Sequence, residues 1–154
     1  MHIEEVQGLC IQGVSVRTCN ADEAHPGSAR IGALWGDFAA QVVPHLADGA
    51  VTYGVYHHYE SDLNGSYDLL VGGDVLTRHA TIDAQPWSVI DIQEGPYAVF
   101  RAQGAMPNAV IEAWGRVWAH FAEPNCPDQR AYTTDFERYG PDGVVDICIA
   151  LTAT

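Results

Sequence analysis

Glu137 is the residue of this sequence best placed to do chemistry, because it lies in an aromatic segment with the character of a β-strand. Residues 135–139 read Asp-Phe-Glu-Arg-Tyr, and side chains alternate between faces along a strand, so Glu137 and Tyr139 are predicted to share a face. A carboxylate and an aromatic ring both attract cations. The carboxylate is also a potential general acid or base. The alternative is a surface glutamate paired with Arg138 or Arg101.

The other cluster of potential ligands is His57-His58, which Glu60 and Asp62 follow. Adjacent strand residues point to opposite faces, so the two histidines are not expected to bind one metal ion. The four cysteines form no Cys-x-x-Cys pair, and their spacings match no zinc pattern. Glycine-rich phosphate loops and a nucleophile elbow are absent from the sequence. We therefore expect neither a metal site nor a cofactor.

Two helices and several strands are predicted to position these residues. Apolar side chains recur at helical spacing over 31–42 and 110–121, and Ser28 is a suitable N-cap for the first helix. Strands are predicted at 3–17, 52–60, 67–76, 87–103, 131–139 and 144–151. Residues 78–86 form a polar connector in this interpretation. Two of the cysteines, Cys10 and Cys148, lie in apolar runs and are predicted to be buried.

The order strand-helix-strand-strand occurs twice. Short matches align the two halves, from Ile3 with Ile90 to Tyr67 with Val145, and one of them aligns His57 with Glu137. We predict a single α+β domain over residues 1–154, with internal repeats at about 1–80 and 84–154. The duplicated β-α-β-β units are expected to form one curved antiparallel sheet of about eight strands, with two main helices on one side. A ligand groove is expected at the pseudo-two-fold seam.

The composition restricts the partners of this chain. Its 154 residues include no Lys and carry a net charge of −13. An acidic chain repels phosphate backbones and anionic membranes and attracts cations, so direct binding of nucleic acid or membrane is not expected. No apolar run has the length of a transmembrane helix. The N-terminal residues do not form a secretory signal, and a cytoplasmic location is the expectation.

Several segments together resemble one known family. They are residues 95–104 (Gly-Pro-Tyr-Ala-Val-Phe-Arg-Ala-Gln-Gly), Ala113-Trp114 with Trp118, residues 135–139, residues 34–38 and residues 53–56. In order and spacing they are similar to the GyrI-like, or bacterial transcription-activator effector-binding, domain family. The resemblance covers nearly the whole chain.

The resemblance implies a duplicated fold whose groove, between the two halves, binds bulky and often cationic, aromatic compounds. Glu137 matches the acidic groove residue of the family. The resemblance implies these further groove residues: Tyr139, Tyr97, Trp114 and Tyr53, with His57 at the pseudo-symmetric position.

Many members of this family are fused to a DNA-binding domain. This chain shows no N-terminal extension for one, so it is expected to resemble the stand-alone members, including integron cassette proteins, and a separate regulatory protein is left open as a partner. The preferred function is binding of cationic, lipophilic, drug-like molecules in multidrug sensing linked to transcription regulation. A hydrolase of reactive genotoxic compounds that uses the groove glutamate, and an inhibitor of the gyrase-inhibitor type, are the alternatives. The same residues serve binding and hydrolysis, so the sequence does not decide whether the protein is an enzyme.

Overall fold

A computed structural model of the chain describes residues 1–77 and 87–152. These residues form one antiparallel sheet of eight strands, in the order β1-β6-β8-β7-β3-β4-β2-β5. The strands are β1 (His2–Val6), β2 (Leu9–Cys19), β3 (Thr52–His57), β4 (Ser66–Gly73), β5 (Ser88–Ile92), β6 (Gly95–Ala102), β7 (Thr134–Tyr139) and β8 (Val145–Ala150). The helices are α1 (Asn20–Glu23), α2 (Ile31–Gln41) and α3 (Asn108–Ala122), with a short 3-10 turn at Val43–His45.

The strand order is symmetric about its centre, where β3 pairs with β7. Each half of the chain has the plan β-β-α-β-β, and its first strand crosses to the other half: β1 pairs with β6, and β5 pairs with β2. This crossing divides the predicted strands 3–17 and 87–103 in two, at residues 7–8 and 93–94. The predicted α+β fold of duplicated units, with one curved antiparallel sheet and helices on one side, is confirmed.

The two long helices cover the strands on either side of the central pair β3–β7 and leave that pair open. Helix α2 packs through Leu34 and Phe38 on β2 and β4, and α3 packs through Ala113 and Val117 on β6 and β8. The central strands β3 and β7 lie between these two apolar clusters. A third apolar cluster, around Phe136, lies on the opposite face of the sheet. A groove between the helices is therefore built over β3 and β7.

Helix α2 begins differently from the sequence-based expectation, because Ser28 does not cap it. The Ser28 hydroxyl donates to the Asp22 carbonyl at 2.9 Å. The Glu23 carboxylate instead accepts the backbone N–H groups of Arg30 and Ile31, at 2.9 and 3.1 Å. The first N–H groups of a helix lack intrahelical partners, and a negative charge there is stabilising. Glu23 is thereby fixed at the start of α2.

Other sequence-based expectations have mixed outcomes. Cys148 is buried as predicted, but Cys10 is exposed because β2 lies near the edge of the sheet. The polar connector predicted at 78–86 lies outside the described residues. Within 1–77 and 87–152, no helix has the length and apolar character needed to cross a bilayer.

Candidate functional site

The Glu137 carboxylate is buried on the helix-facing side of β7, where the residue is only 4% exposed. Its Oε1 accepts a hydrogen bond from the Tyr139 hydroxyl at 2.6 Å. Its Oε2 accepts from the Trp114 indole Nε1 at 2.7 Å and from the Tyr56 hydroxyl at 3.1 Å. The carboxylate is thus held by three neutral donors, which come from β3, α3 and its own strand.

The arginines that the sequence offered as partners of Glu137 bind other carboxylates. Arg138 pairs with Glu4 at 3.1 Å and with Asp146 at 3.2 Å, and Arg101 pairs with Asp146 at 2.9 Å. Strand alternation directs Arg138 to the face opposite Glu137. Within 1–77 and 87–152, no arginine or histidine forms an ion pair with Glu137. The solvent-exposed, arginine-paired alternative does not describe this residue.

Gly54 makes room for the carboxylate in the neighbouring strand. It lies directly opposite Glu137 in the β3–β7 register. A Cβ atom at Gly54 would lie 3.2 Å from Glu137 Oε1, which is closer than ordinary van der Waals contact. The absence of a side chain at this position therefore lets the glutamate fold back over the centre of the sheet.

The tyrosines beside Glu137 remain hydrogen-bond donors at neutral pH. Burial raises the pKa of Tyr56 and of Tyr139 well above the ordinary value, and the charge of Glu137 raises both pKa values further. A phenol that does not ionise keeps its proton for the carboxylate. Tyr56 and Tyr139 therefore keep their donor protons across the physiological pH range.

A second carboxylate, Asp135, lies two residues away on the same face and, unlike Glu137, forms an ion pair. It is fully buried and pairs with Arg130, whose side chain is 6% exposed, at 2.7 Å. Asp135 also accepts the Tyr59 hydroxyl at 2.5 Å and the backbone N–H of Ala150 at 2.8 Å. Arg130 in turn stacks over the Tyr132 ring at 4.4 Å. The charge of Asp135 is thus compensated within the protein.

A cavity of about 430 Å³ opens beside this cluster, between α3, α1 and the loop after β3. Aromatic side chains dominate its wall: Tyr56, Tyr59, Tyr67, Trp114 and Trp118. Its charged wall residues are Glu23, Asp62 and Arg130. Tyr56 and Trp114 face the cavity and also donate to Glu137, so their rings separate the carboxylate from the open space. The cavity is therefore an aromatic pocket with an excess of negative charge.

The structure brings three of the sequence-predicted residues together: Glu137, Tyr139 and Trp114. Tyr53, Tyr97 and His57 lie away from the groove. Tyr53 and Tyr97 belong to the cluster on the opposite face, where burial raises the pKa of Tyr97 to about 12. Tyr97 donates to the Gln93 carbonyl at 2.6 Å, which is a structural role.

The side chain of His57 points away from the groove. It follows Tyr56 directly in β3, Tyr56 faces the groove, and adjacent side chains of a strand point to opposite faces. The match of His57 with Glu137 was therefore misaligned, since a one-residue slip in a strand exchanges the two faces. The register instead places Gly54 opposite Glu137.

Sequence reasoning missed the other groove residues. Trp118 belongs to the predicted helix 110–121 and was not proposed for the groove, but it is 42% exposed and lines the cavity. Tyr56, Tyr59 and Tyr67 lie in the predicted hairpin 52–76, but nothing in the sequence showed that its turn would fold back beside α3. The available signal was alternation, because Tyr56 and His57 must face opposite ways.

An antiparallel sheet built from two β-β-α-β-β halves, with an aromatic, acidic groove over its central strands, defines an effector-binding domain. The sequence profile of the family described as integron-associated effector binding protein matches residues 2–151, and the chain belongs to this family.

Solved structures agree with this assignment. An integron cassette protein from the mobile metagenome of Vibrio cholerae is 40% identical, with a TM-score of 0.89 over 98% of this chain and 95% of that one. SAV2435 bound to tetraphenylphosphonium is 20% identical, with a TM-score of 0.71 over 99% and 93% of the two chains. A putative bacterial transcription regulation protein from Staphylococcus aureus MU50 is 20% identical, with a TM-score of 0.68 over 99% and 97%. The last two share the fold. A search of curated proteins found no match.

Proposed function

We propose that the groove binds an organic cation that carries aromatic or lipophilic groups, and that the chain acts as an effector-binding protein in drug sensing. One observation carries the proposal: Glu137 is buried at the groove with only neutral donors as partners in the described part of the chain. A buried charge without a counter-charge is costly, and a bound cation offsets that cost. The ligand would supply the counter-charge that the protein lacks.

The contrast with Asp135 supports this interpretation. Both carboxylates lie on the same face of β7, but only Asp135 has an arginine partner, at 2.7 Å. Arg130 is thereby neutralised, although it lines the cavity. In the described part of the chain, the carboxylates of Glu137, Glu23 and Asp62 near the cavity form no ion pair with an arginine or histidine. The electrostatic field of the groove favours cations.

The size and wall of the cavity suit such a ligand. Its volume of about 430 Å³ falls within the common range for small-molecule sites, roughly 300–1,000 Å³. The edge-to-face pair Tyr56–Trp114, with ring centroids 5.1 Å apart, presents aromatic surface directly in front of Glu137. A cation over these rings gains roughly 0.5–2 kcal/mol from the ring quadrupoles. The same atoms therefore supply apolar contact and charge attraction.

The structural neighbour SAV2435 supports the ligand class, because it was solved with tetraphenylphosphonium. That compound combines a positive charge with four phenyl groups. The family of the chain, the integron-associated effector-binding proteins, is consistent with a sensor of such compounds. Action on transcription would pass through a separate regulatory protein in the cytoplasm.

The geometry favours binding over hydrolysis by Glu137. Both carboxylate oxygens accept hydrogen bonds, and the rings of Tyr56 and Trp114 stand between them and the cavity. A general base needs an oxygen within hydrogen-bond distance of the attacking water. Mass spectrometry of epoxide-bearing compounds incubated with the protein tests this directly. Turnover that is lost in Glu137→Gln would replace the binding proposal with the enzymatic one.

The binding proposal is tested with a charged and a neutral probe of similar shape. Methyltriphenylphosphonium and triphenylphosphine oxide, which each carry three phenyl groups on phosphorus, are titrated separately while tryptophan fluorescence is followed, because Trp114 and Trp118 line the cavity. We expect saturable quenching by the cation and binding at least about tenfold weaker for the neutral compound, a difference of about 1.4 kcal/mol. Equal affinities for the two probes would contradict the proposed role of charge.

A further inference from the structure

A second cluster of ligand-type side chains lies at the C-terminal end of α3, outside the groove. The His120 Nε2 atom is 3.0 Å from Asp128 Oδ2 and 3.5 Å from Cys126 Sγ. All three donor atoms lie within 4.8 Å of one another. None of these residues lines the cavity described above. The proposed cation binding does not use them.

The arrangement does not have the geometry of a nucleophile with its base. In a catalytic relay the nucleophile and the orienting carboxylate contact different nitrogen atoms of the imidazole. Here Cys126 and Asp128 both approach the same atom, Nε2 of His120. The three donor atoms therefore converge on one point in space, as metal ligands do.

The distances are close to those of a tetrahedral site. Zinc bonds of about 2.0–2.1 Å to nitrogen and about 2.3 Å to sulfur give a nitrogen–sulfur edge of about 3.5 Å in a tetrahedron. The Cys126–His120 separation is 3.5 Å. The Asp128–His120 separation of 3.0 Å is somewhat short of the corresponding nitrogen–oxygen edge, and a small side-chain movement reaches it. Thiolate, imidazole and carboxylate are also the usual ligands of zinc.

Backbone hydrogen bonds link the turn that carries His120 to the turn that carries Cys126 before any ion binds. The N–H of Glu123 donates to the His120 carbonyl, and the N–H of Cys126 donates to the Glu123 carbonyl. The His120 ring packs edge-to-face against Phe100, with ring centroids 5.6 Å apart. The side chains of His120 and Asp128 remain 24% and 20% exposed. An ion can therefore reach ligands whose positions are largely fixed.

We propose that His120, Cys126 and Asp128 bind a divalent transition-metal ion of the zinc class, with the fourth position open to water or another ligand. The ion would join the end of α3 to the segment that leads into β7. Helix α3 carries Trp114, and β7 carries Glu137, so the site connects two elements that build the groove. This role is structural and does not depend on the proposed ligand of the groove.

Cobalt titration tests the site, because a Co²⁺–thiolate bond gives a charge-transfer absorption band in the near ultraviolet. The full chain is dialysed against a chelator and titrated with Co²⁺, and the bound ion is then displaced by Zn²⁺. We expect a band that saturates at one equivalent. Cys126→Ser should abolish the band, and Cys10→Ser, which removes an exposed thiol elsewhere, should leave it unchanged.

Asp128→Asn provides a second variant that keeps the thiol and the shape of the side chain. We expect it to weaken metal affinity by at least about tenfold, since even indirect supports of metal sites are worth about 10–100-fold. Circular dichroism verifies that each variant is folded. If Cys126→Ser is not folded, the metal affinity of Asp128→Asn provides the test of the site. Absence of the band in the wild-type chain, or an unchanged affinity in Asp128→Asn, would overturn the proposal.

Discussion

Glu137→Gln removes the charge that we assign to cation binding while it preserves the shape of the side chain. The Gln carbonyl can accept the Trp114 and Tyr56 hydrogen bonds, and its amide can donate to the Tyr139 oxygen, because a hydroxyl also accepts. We therefore expect a folded protein whose free energy of unfolding changes by no more than about 1 kcal/mol. The affinity for a cation should change much more.

The expected loss of affinity follows from the distance between the carboxylate and the cavity. Tyr56 and Trp114 donate to Glu137 over 3.1 and 2.7 Å, and the ligand packs on the cavity side of their rings. A positive charge spread over a ligand there lies about 6–9 Å from the carboxylate, which gives about 2–3 kcal/mol at an effective dielectric constant of 20. Water in the open groove reduces this value. We expect the dissociation constant of tetraphenylphosphonium to rise by about 10–100-fold.

Isothermal titration calorimetry measures this change, and Glu112→Gln is the matched control. Glu112 lies exposed on α3, so its substitution makes the same change in net charge without altering the groove. We expect Glu112→Gln to bind tetraphenylphosphonium within about twofold of the wild type, because exposed charges are screened by salt. Equal losses in the two variants would show that only the overall charge of the protein matters. Unchanged binding in Glu137→Gln would refute the assignment of Glu137.

Three further predictions concern stability and are measured by urea unfolding. Asp135→Asn leaves Arg130 buried and without its counter-charge, so it should destabilise the protein by about 3–5 kcal/mol; a cost below about 1 kcal/mol would contradict this. Gly72→Ala would place a Cβ 2.0 Å from a backbone oxygen and should cost roughly 4 kcal/mol or more, whereas Gly115→Ala, in open space on α3, should gain roughly 0.5–1 kcal/mol. Burial opposes ionisation of Asp146, but hydrogen bonds from its two arginine partners hold its pKa below the ordinary value. Its contribution is therefore present above about pH 4 and lost as pH falls through the lowered pKa, and Asp146→Asn should flatten that part of the pH–stability curve.

The fold could be predicted because several independent sequence signals agreed. Alternation and apolar spacing located the strands and both long helices, and the repeated order of elements gave the duplicated sheet. Glu137 could be assigned a face because alternation along a short strand depends only on local geometry. Its aromatic neighbour Trp114 could be proposed because the segment Ala113-Trp114 resembles that of the effector-binding family.

Predicting the remaining groove residues requires the pairing between strands, and local sequence patterns do not contain that information. Tyr53 and His57 were proposed from the correct strand but with the wrong parity, and a slip of one residue is enough to exchange faces. The ion pair between Asp135 and Arg130 could not be predicted from the sequence either. Arg130 reaches Asp135 from a loop after α3 and not from a neighbouring strand. The short aromatic matches between the halves could not fix the register, whereas the paired β3–β7 backbone does.

Of the two carboxylates on β7, Asp135 forms an ion pair with an arginine and Glu137 does not, and this difference implies an orientation for the ligand. Arg130 bonds Asp135 at 2.7 Å, and in the described part of the chain it forms no ion pair with Glu137. The Asp135 end of the groove is therefore electrically balanced and lined by Tyr59, whereas the Glu137 end behind Tyr56 and Trp114 retains its charge. Under the proposed function, the cationic centre of a ligand lies against Tyr56 and Trp114, and its uncharged bulk extends towards Tyr59. A cation without such bulk would meet the charge but lose the apolar contacts, so affinity should rise with aromatic surface at constant charge.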